Sequence, residues 1–343
     1  MIPQSLAPNG HGSVSVLDAD TGRLIRTIAL GRDLFLGLPP GGSMIVAERT
    51  GRVFVSTCGV ASGGLSRAPE PLLILDARSG QVVRRLTEGP DVCVLAVDER
   101  LGRVYLSTRQ VLDARTDVDV GRTVPATAMA VDAALGRLFA VDGSHMRMID
   151  ARTDKILVTR AVPGARVALV DERRNRVVVG IVPDSYYYDE NAEIFDARTV
   201  RVITDAVDGG GDAWGIDRAA GRVISIGTRT SNASPSIIDA DIFDTTDGRH
   251  NRFFEVGDVI HPAATIGVDE RRGYAFVVTA DAQTGGSPYP NVISIIDTIH
   301  RRLVRQIGLG LGPPSIAVDE ARGRVYVTNL QDNTVSVLDD TRL

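Results

Sequence analysis

One hairpin unit recurs seven times along the 343 residues: an apolar run, an acidic turn, Gly or Asn, then a β-branched run. The copies are "ERTGRVFVST" (48–57), "DERLGRVYLST" (98–108), "DAALGRLFAVD" (132–142), "DERRNRVVVGI" (171–181), "DRAAGRVISIG" (217–227), "DERRGYAFVVT" (269–279) and "DEARGRVYVTN" (319–329). Each reads as strand, tight turn, strand. The Gly, replaced once by Asn175, supplies the positive-φ position of the turn, and the leading Asp can accept its N–H groups. A second hairpin alternates with the first, as in "VSVLDADTGRLIRTI" (14–28), "LLILDARSGQVVRRL" (72–86) and "ISIIDTIHRRLVRQI" (293–307). Together they make a four-stranded antiparallel unit every ~45 residues, the period of propeller blades. No stretch sustains a helical period, so the expected fold is all-β, a seven-bladed β-propeller.

The literal "YVTN" at 326–329 is followed shortly by "VSVLD". With its weaker copies "YLST" (105–108), "FVST" (54–57) and "FVVT" (276–279), it resembles the YVTN-repeat β-propeller family, over about residues 13–343. The expected organisation is a tail over 1–12 and one propeller domain over 13–343. The chain starts with an outer hairpin and stops after "VSVLD" at 335–339. The expectation is that N-terminal residues complete the last blade and close the ring by pairing of N- and C-terminal strands, which hides exposed sheet edges. Both 14–18 and 335–339 match the third strand of a blade, and the sequence leaves open which of them is displaced.

Composition narrows the functions. Net charge is −5, which speaks against a general nucleic-acid binder. No apolar run reaches the ~18–20 residues of a membrane helix, and the start carries no visible signal peptide. An extracytoplasmic location is what the family resemblance implies. The two cysteines, Cys58 and Cys93, lack zinc-site spacing. They map to one face in adjacent blades, as a disulfide or as two free thiols.

In this connectivity the Asp- and Arg-rich turns lie on one face and read as turn chemistry. The other face carries variable loops: 58–71, 182–192, 228–241, 280–291, 30–43, 208–213 and 257–263. Binding sites usually sit on such loops. Aligning the innermost strands sets Gly42, Cys93, Thr127, Arg166, Asp212, Ala264 and Pro314 at equivalent positions near the channel mouth. Cys93, Arg166 and Asp212 break the repeat. The functional reading is a polar pocket with Arg166 and Asp212 as charge anchors; the alternative is solvated loop ends. His145 and His261 map to the same face, without metal-binding spacing, so neither metal nor cofactor is expected. Tyr186, Tyr187 and Tyr188 in "SYYYDE" form a candidate contact surface. Trp214 aligns with apolar positions and is expected between blades.

Three functions follow: a non-enzymatic scaffold binding a protein or small polar ligand through the loop-rich face; a propeller enzyme of lactonase or hydrolase type, to which YVTN repeats are similar; and single-stranded nucleic-acid binding, which needs a basic aromatic groove. The sequence carries no catalytic signature and favours the first.

Overall fold

The computed structural model describes residues 2–4, 11–17, 24–32, 44–55, 72–76, 79, 81–86, 92–181, 191–208, 211, 213–229, 237–249, 252–257, 262–281, 290–311, 316–320, 323–329 and 334–339. These residues form eight antiparallel sheets: six have four strands, and the first and last have three. In chain order the sheets span 2–32, 44–86, 94–122, 128–161, 165–208, 213–257, 262–311 and 316–339. The described helical content is a single turn, Glu48–Thr50. Among the described residues no helix is long and apolar enough to cross a membrane.

The repeated turns form for the reasons the sequence gives. Gly51, Gly102, Gly136, Gly221, Gly273 and Gly323 have φ between 64° and 73°, and Asn175 has φ 54°. The Asp that ends each first strand folds back onto its own turn. Asp98 Oδ1 accepts from the Arg100 and Leu101 N–H groups, and Asp269 Oδ1 from those of Arg271 and Arg272. Asp132, Asp171 and Asp217 accept such bonds from the Leu135, Arg174 and Ala220 N–H groups. The Asp ending each third strand does the same and adds a hydroxyl: Thr116, Thr153 and Thr199 donate to Asp113, Asp150 and Asp196. Turn arginines then tie neighbouring sheets. Arg103 Nη1 donates to the Ala151 carbonyl at 2.8 Å and pairs with Asp154 at 3.0 Å.

The chain divides into two compact units, residues 35–206 and residues 1–34 with 207–343. Within the first, sheets two to five pack face against face. Phe54, Leu72 and Ile74 meet Val94, Val104 and Leu106. Tyr105 and Val111 meet Leu138, Ala140 and Ile149. Phe139, Met146 and Met148 meet Val177, Val179 and Phe195. Within the second unit, Ile224, Ile226 and Ile242 meet Ala275, Val277 and Ile296, and Phe276, Val278 and Ile293 meet Val325 and Val327. Period-two alternation puts one apolar row on each face of a strand, so every inner sheet buries both faces.

The chain ends differ from the sequence expectation. The N-terminal hairpin, His11–Leu17 with Leu24–Arg32, joins Ile2–Gln4 in a sheet of its own. The expected pairing of N- and C-terminal strands is not among the described ladders, and among the described residues no sheet is closed. Local pairing accounts for the difference: a hairpin closes over a short turn at low entropic cost, and Ile2–Gln4, within the expected tail, carries no repeat motif that announces a strand.

Candidate functional site

The described part of the loop-rich edge lies at sheets three to five. Its base is the turn Asp142–His145, where the fourth sheet's second strand gives way to the third. Gly143 takes φ 88°, which reverses the chain in four residues. Asp142 Oδ1 accepts the N–H groups of Ser144 at 3.0 Å and His145 at 2.8 Å. The loop that leaves the same sheet closes over this turn: Val162 N–H donates to the Ser144 carbonyl and Gly164 N–H to the Gly143 carbonyl, each at 2.8 Å. Two loops are thereby fixed as one rigid edge.

Charged side chains sit on that edge. Arg147 Nη1 reaches Asp142 Oδ2 at 2.5 Å. Burial pushes the Asp142 carboxyl up, but the Arg147 guanidinium and the two turn N–H groups outweigh it and hold it below the ordinary carboxylate value. His145 Nδ1 lies 3.7 Å from Asp142 Oδ1, with 43% of its side chain exposed. Arg166 comes from the next sheet. Its strand, Ala165–Asp171, slips register between Ala165 and Val167 against Arg176–Ile181, which makes Arg166 the extra residue of a β-bulge. Ala165 and Val167 are buried, and Arg166 is exposed. A bulge re-aims a side chain that strict alternation would fix. A β-carbon on Gly143 would stand 4.0 Å from Arg166 Nη1, so the guanidinium lies over the turn.

The structure thus brings Arg166 and His145 to one edge. It adds Asp142 and Arg147. Arg147 occupies a column of third-strand residues, Leu73, Gln110, Arg147, Glu193, Asp241 and Ser294, that varies while the residue after it stays apolar. That variation was the readable signal. Cys93, half-buried at the start of the third sheet, exchanges bonds with Ser107: its N–H donates to Ser107 Oγ, and its carbonyl accepts the Ser107 N–H, both at 2.9 Å. Its sulfur is in a disulfide rather than a free thiol. Thr127 Oγ1 turns inward to the Val141 carbonyl at 3.1 Å. Asp212, His261, Tyr186, Tyr187, Tyr188 and Cys58 lie outside the described residues. Trp214 is half-buried; its Nε1–H donates to the Gly211 carbonyl at 2.9 Å, and its ring meets Phe243 edge-on at 6.5 Å.

Chemically, the edge offers guanidinium groups carried on backbone that is fixed by hydrogen bonds. Both Asp142 oxygens are committed, one to two backbone donors and one to Arg147, which suits positioning rather than proton transfer. Among the described residues no group of three His, Cys, Asp or Glu side chains is arranged to hold a metal ion.

No family model and no curated protein matches the chain. The YVTN-repeat resemblance therefore rests on its motifs. Solved structures do match. Hydrazine Synthase of Kuenenia stuttgartiensis is 13% identical with a TM-score of 0.62, over 88% of this chain and 94% of that chain. BamB from Moraxella catarrhalis is 13% identical with a TM-score of 0.56, over 98% of this chain and 95% of that chain. Both are β-propellers, and likeness at this identity shows fold alone. The chain is an all-β protein built of four-stranded antiparallel sheets, with propellers as its structural neighbours.

Proposed function

We propose that this chain is a non-enzymatic propeller scaffold over residues 13–343 that binds a protein or a small polar ligand through its loop-rich edge. Six complete sheets and one blade shared between the chain ends make the seven blades that the repeats count. The observation that carries the binding reading is the Arg166 bulge. In the fifth sheet, the bulge between the first two strands brings an exposed guanidinium over the rigid Asp142–His145 turn. Arg147 and His145 add positive or neutral donors beside it, so the complementary feature on a partner is an acidic or carboxylate-bearing group. Tyr186–Tyr188, Asp212 and His261 belong to the same loop-rich face in the repeat alignment. A Cys58–Cys93 bridge would staple two adjacent blades there and fits an extracytoplasmic, oxidising compartment.

The test compares wild type with Arg166→Glu and His145→Ala, immobilised at equal density. A partner or carboxylate ligand held by wild type and released by Arg166→Glu supports the reading. Turnover of a sugar lactone by wild type, abolished in the same variants, would replace it with the hydrolase alternative.

A further inference from the structure

The first and eighth sheets are the two with three strands, and both lie in the unit formed by residues 1–34 and 207–343. The eighth ends at Thr334–Asp339, whose outer edge has no partner among the described residues. In the six four-stranded sheets the equivalent third strand is always paired on that side. An unpaired edge leaves a row of backbone donors and acceptors open to another strand.

The missing strand has a known sequence. In the seventh sheet, the fourth strand Arg302–Leu311 pairs with Pro290–Asp297 so that Leu303 faces Ile296, Arg305 faces Ile295, Gln306 faces Ser294 and Ile307 faces Ile293. The register slips by one residue between Ile295 and Ile296. In the first sheet, Leu24 faces Leu17, Arg26 faces Val16, Thr27 faces Ser15 and Ile28 faces Val14, with the same slip between Val16 and Leu17. Leu24–Arg32 is therefore a fourth strand by sequence and by register. Its partner His11–Leu17 contains Val14–Leu17, and the sequence Val-Ser-Val-Leu-Asp at 14–18 recurs at 335–339. The ladder seen with one can be written unchanged with the other: Leu24 to Leu338, Arg26 to Val337, Thr27 to Ser336, Ile28 to Val335. The two sheets are also neighbours, since Ile2–Gln4 lies against Arg324–Asn329.

We propose that Leu24–Arg32 exchanges, within one chain, between two equivalent partner strands, His11–Leu17 and Thr334–Asp339. Both arrangements share the same ladder over Val-Ser-Val-Leu, so most of the backbone pairing lost on exchange is regained, while the pairs His11–Arg32 and Gly12–Gly31 belong to the first arrangement. Two packings of near-equal energy are the condition for a bistable element. In one arrangement the edge of Thr334–Asp339 is open. In the other the eighth sheet has four strands, and the edge of His11–Leu17 is open instead. The closure proposed above is then one of two states, and the exchange rests on that reading.

Cross-strand cysteine pairs separate the states. Thr27→Cys with Ser15→Cys reports the first, and Thr27→Cys with Ser336→Cys the second, each in the full chain and oxidised slowly. Peptide mapping without reductant identifies which cysteines have joined. Both cross-links are expected, each in monomeric protein. A Ser15 cross-link without the Ser336 one overturns the exchange and the closure together. The Ser336 cross-link alone overturns the exchange and leaves a permanent closure standing. Formation only in a dimer overturns the single-chain mechanism, and absence of both overturns it as well. Hydrogen exchange on the unmutated chain gives a second measurement. Peptides covering 14–18 and 334–339 should each show a protected and an unprotected population, and one uniform population in either overturns the proposal.

Discussion

Replacing Ala197 by serine should stabilise the protein, because it supplies a donor to a buried carboxylate oxygen that now has none. Asp132 is fully buried. Its Oδ1 accepts the Leu135 N–H at 2.8 Å, and its Oδ2 meets no donor. The equivalent oxygen two sheets along is satisfied: Thr298 Oγ1 donates to Asp217 Oδ2 at 2.5 Å. Thr298 begins a turn by donating its N–H to the Gly273 carbonyl, and Ala197 donates in the same place to the Asn175 carbonyl. Ala197 therefore stands where Thr298 stands, without the hydroxyl. A hydrogen bond to a charged acceptor contributes about 1.5–3 kcal/mol. Ordering the new hydroxyl and crowding a packed site take back about 1 kcal/mol. The expected net gain at neutral pH is about 1 kcal/mol, or roughly 2 °C in Tm. The pH dependence tests the cause. Burial is the largest influence on Asp132 and raises its pKa, the nearby Glu172 carboxylate adds to this, and the turn N–H groups and Arg198 oppose it. A carboxyl whose folded pKa is raised loses stability as pH rises through that value. The serine hydroxyl donates to the ionised form, so its benefit should be largest above the folded pKa and fade below it. Urea melts at neutral pH and near pH 4 would measure both. A variant no more stable than wild type at neutral pH, or with a gain independent of pH, would refute the reasoning.

Gly211→Ala should be severely destabilising, by about 3 kcal/mol or more, because a β-carbon there would lie 1.4 Å from the Ile226 carbonyl oxygen at φ +140°. Trp214 is the single tryptophan and bonds to the Gly211 carbonyl, so its emission should shift red, and an unshifted spectrum with a wild-type melt would contradict this. Alkylation without reductant should label neither cysteine, and Cys93→Ser should cost about 3–4 kcal/mol by opening the loop that the proposed Cys58–Cys93 bridge closes; a labelled thiol in the native protein would rule out that bridge. Asp142→Asn should lose about 1 kcal/mol at neutral pH, because it weakens the pair with Arg147. The Asp142 pKa is depressed in the fold, so that loss should vanish as pH falls through it, and a loss constant down to pH 2 would exclude the ion pair as its source.

The hairpins were legible because their turns are local chemistry. Gly or Asn at the positive-φ position and Asp at the strand end act within four residues, so the sequence alone names them. The number of sheets was less legible. The repeat counts first hairpins, whereas Ile2–Gln4 becomes a strand only because His11–Leu17 offers it an edge. At the site, alignment identified Arg166 as a break in the pattern but could not show the bulge, which depends on register against Arg176–Ile181. The variable column of Arg147 was a signal, but it reads equally well as a solvent-facing row. The contrast between Ala197 and Thr298 is plain in the sequence, yet it gains meaning only when the next sheet brings Asp132 or Asp217 against it.

These observations also explain why variation gathers at one edge. At the turn edge Asp side chains are bonded to their own turns and several Arg side chains reach the next sheet, as Arg103 reaches Ala151 and Asp154. A change there disturbs two sheets at once. At the other edge the fourth sheet's loops are held by bonds within that sheet, from Val162 to Ser144 and from Gly164 to Gly143. A side chain such as His145 or Arg166 can then change without unfastening its neighbours. Rigidity supplied by backbone bonds leaves side-chain identity free for recognition, and this is why the binding experiment belongs at Arg166 and the stability experiment at Asp132.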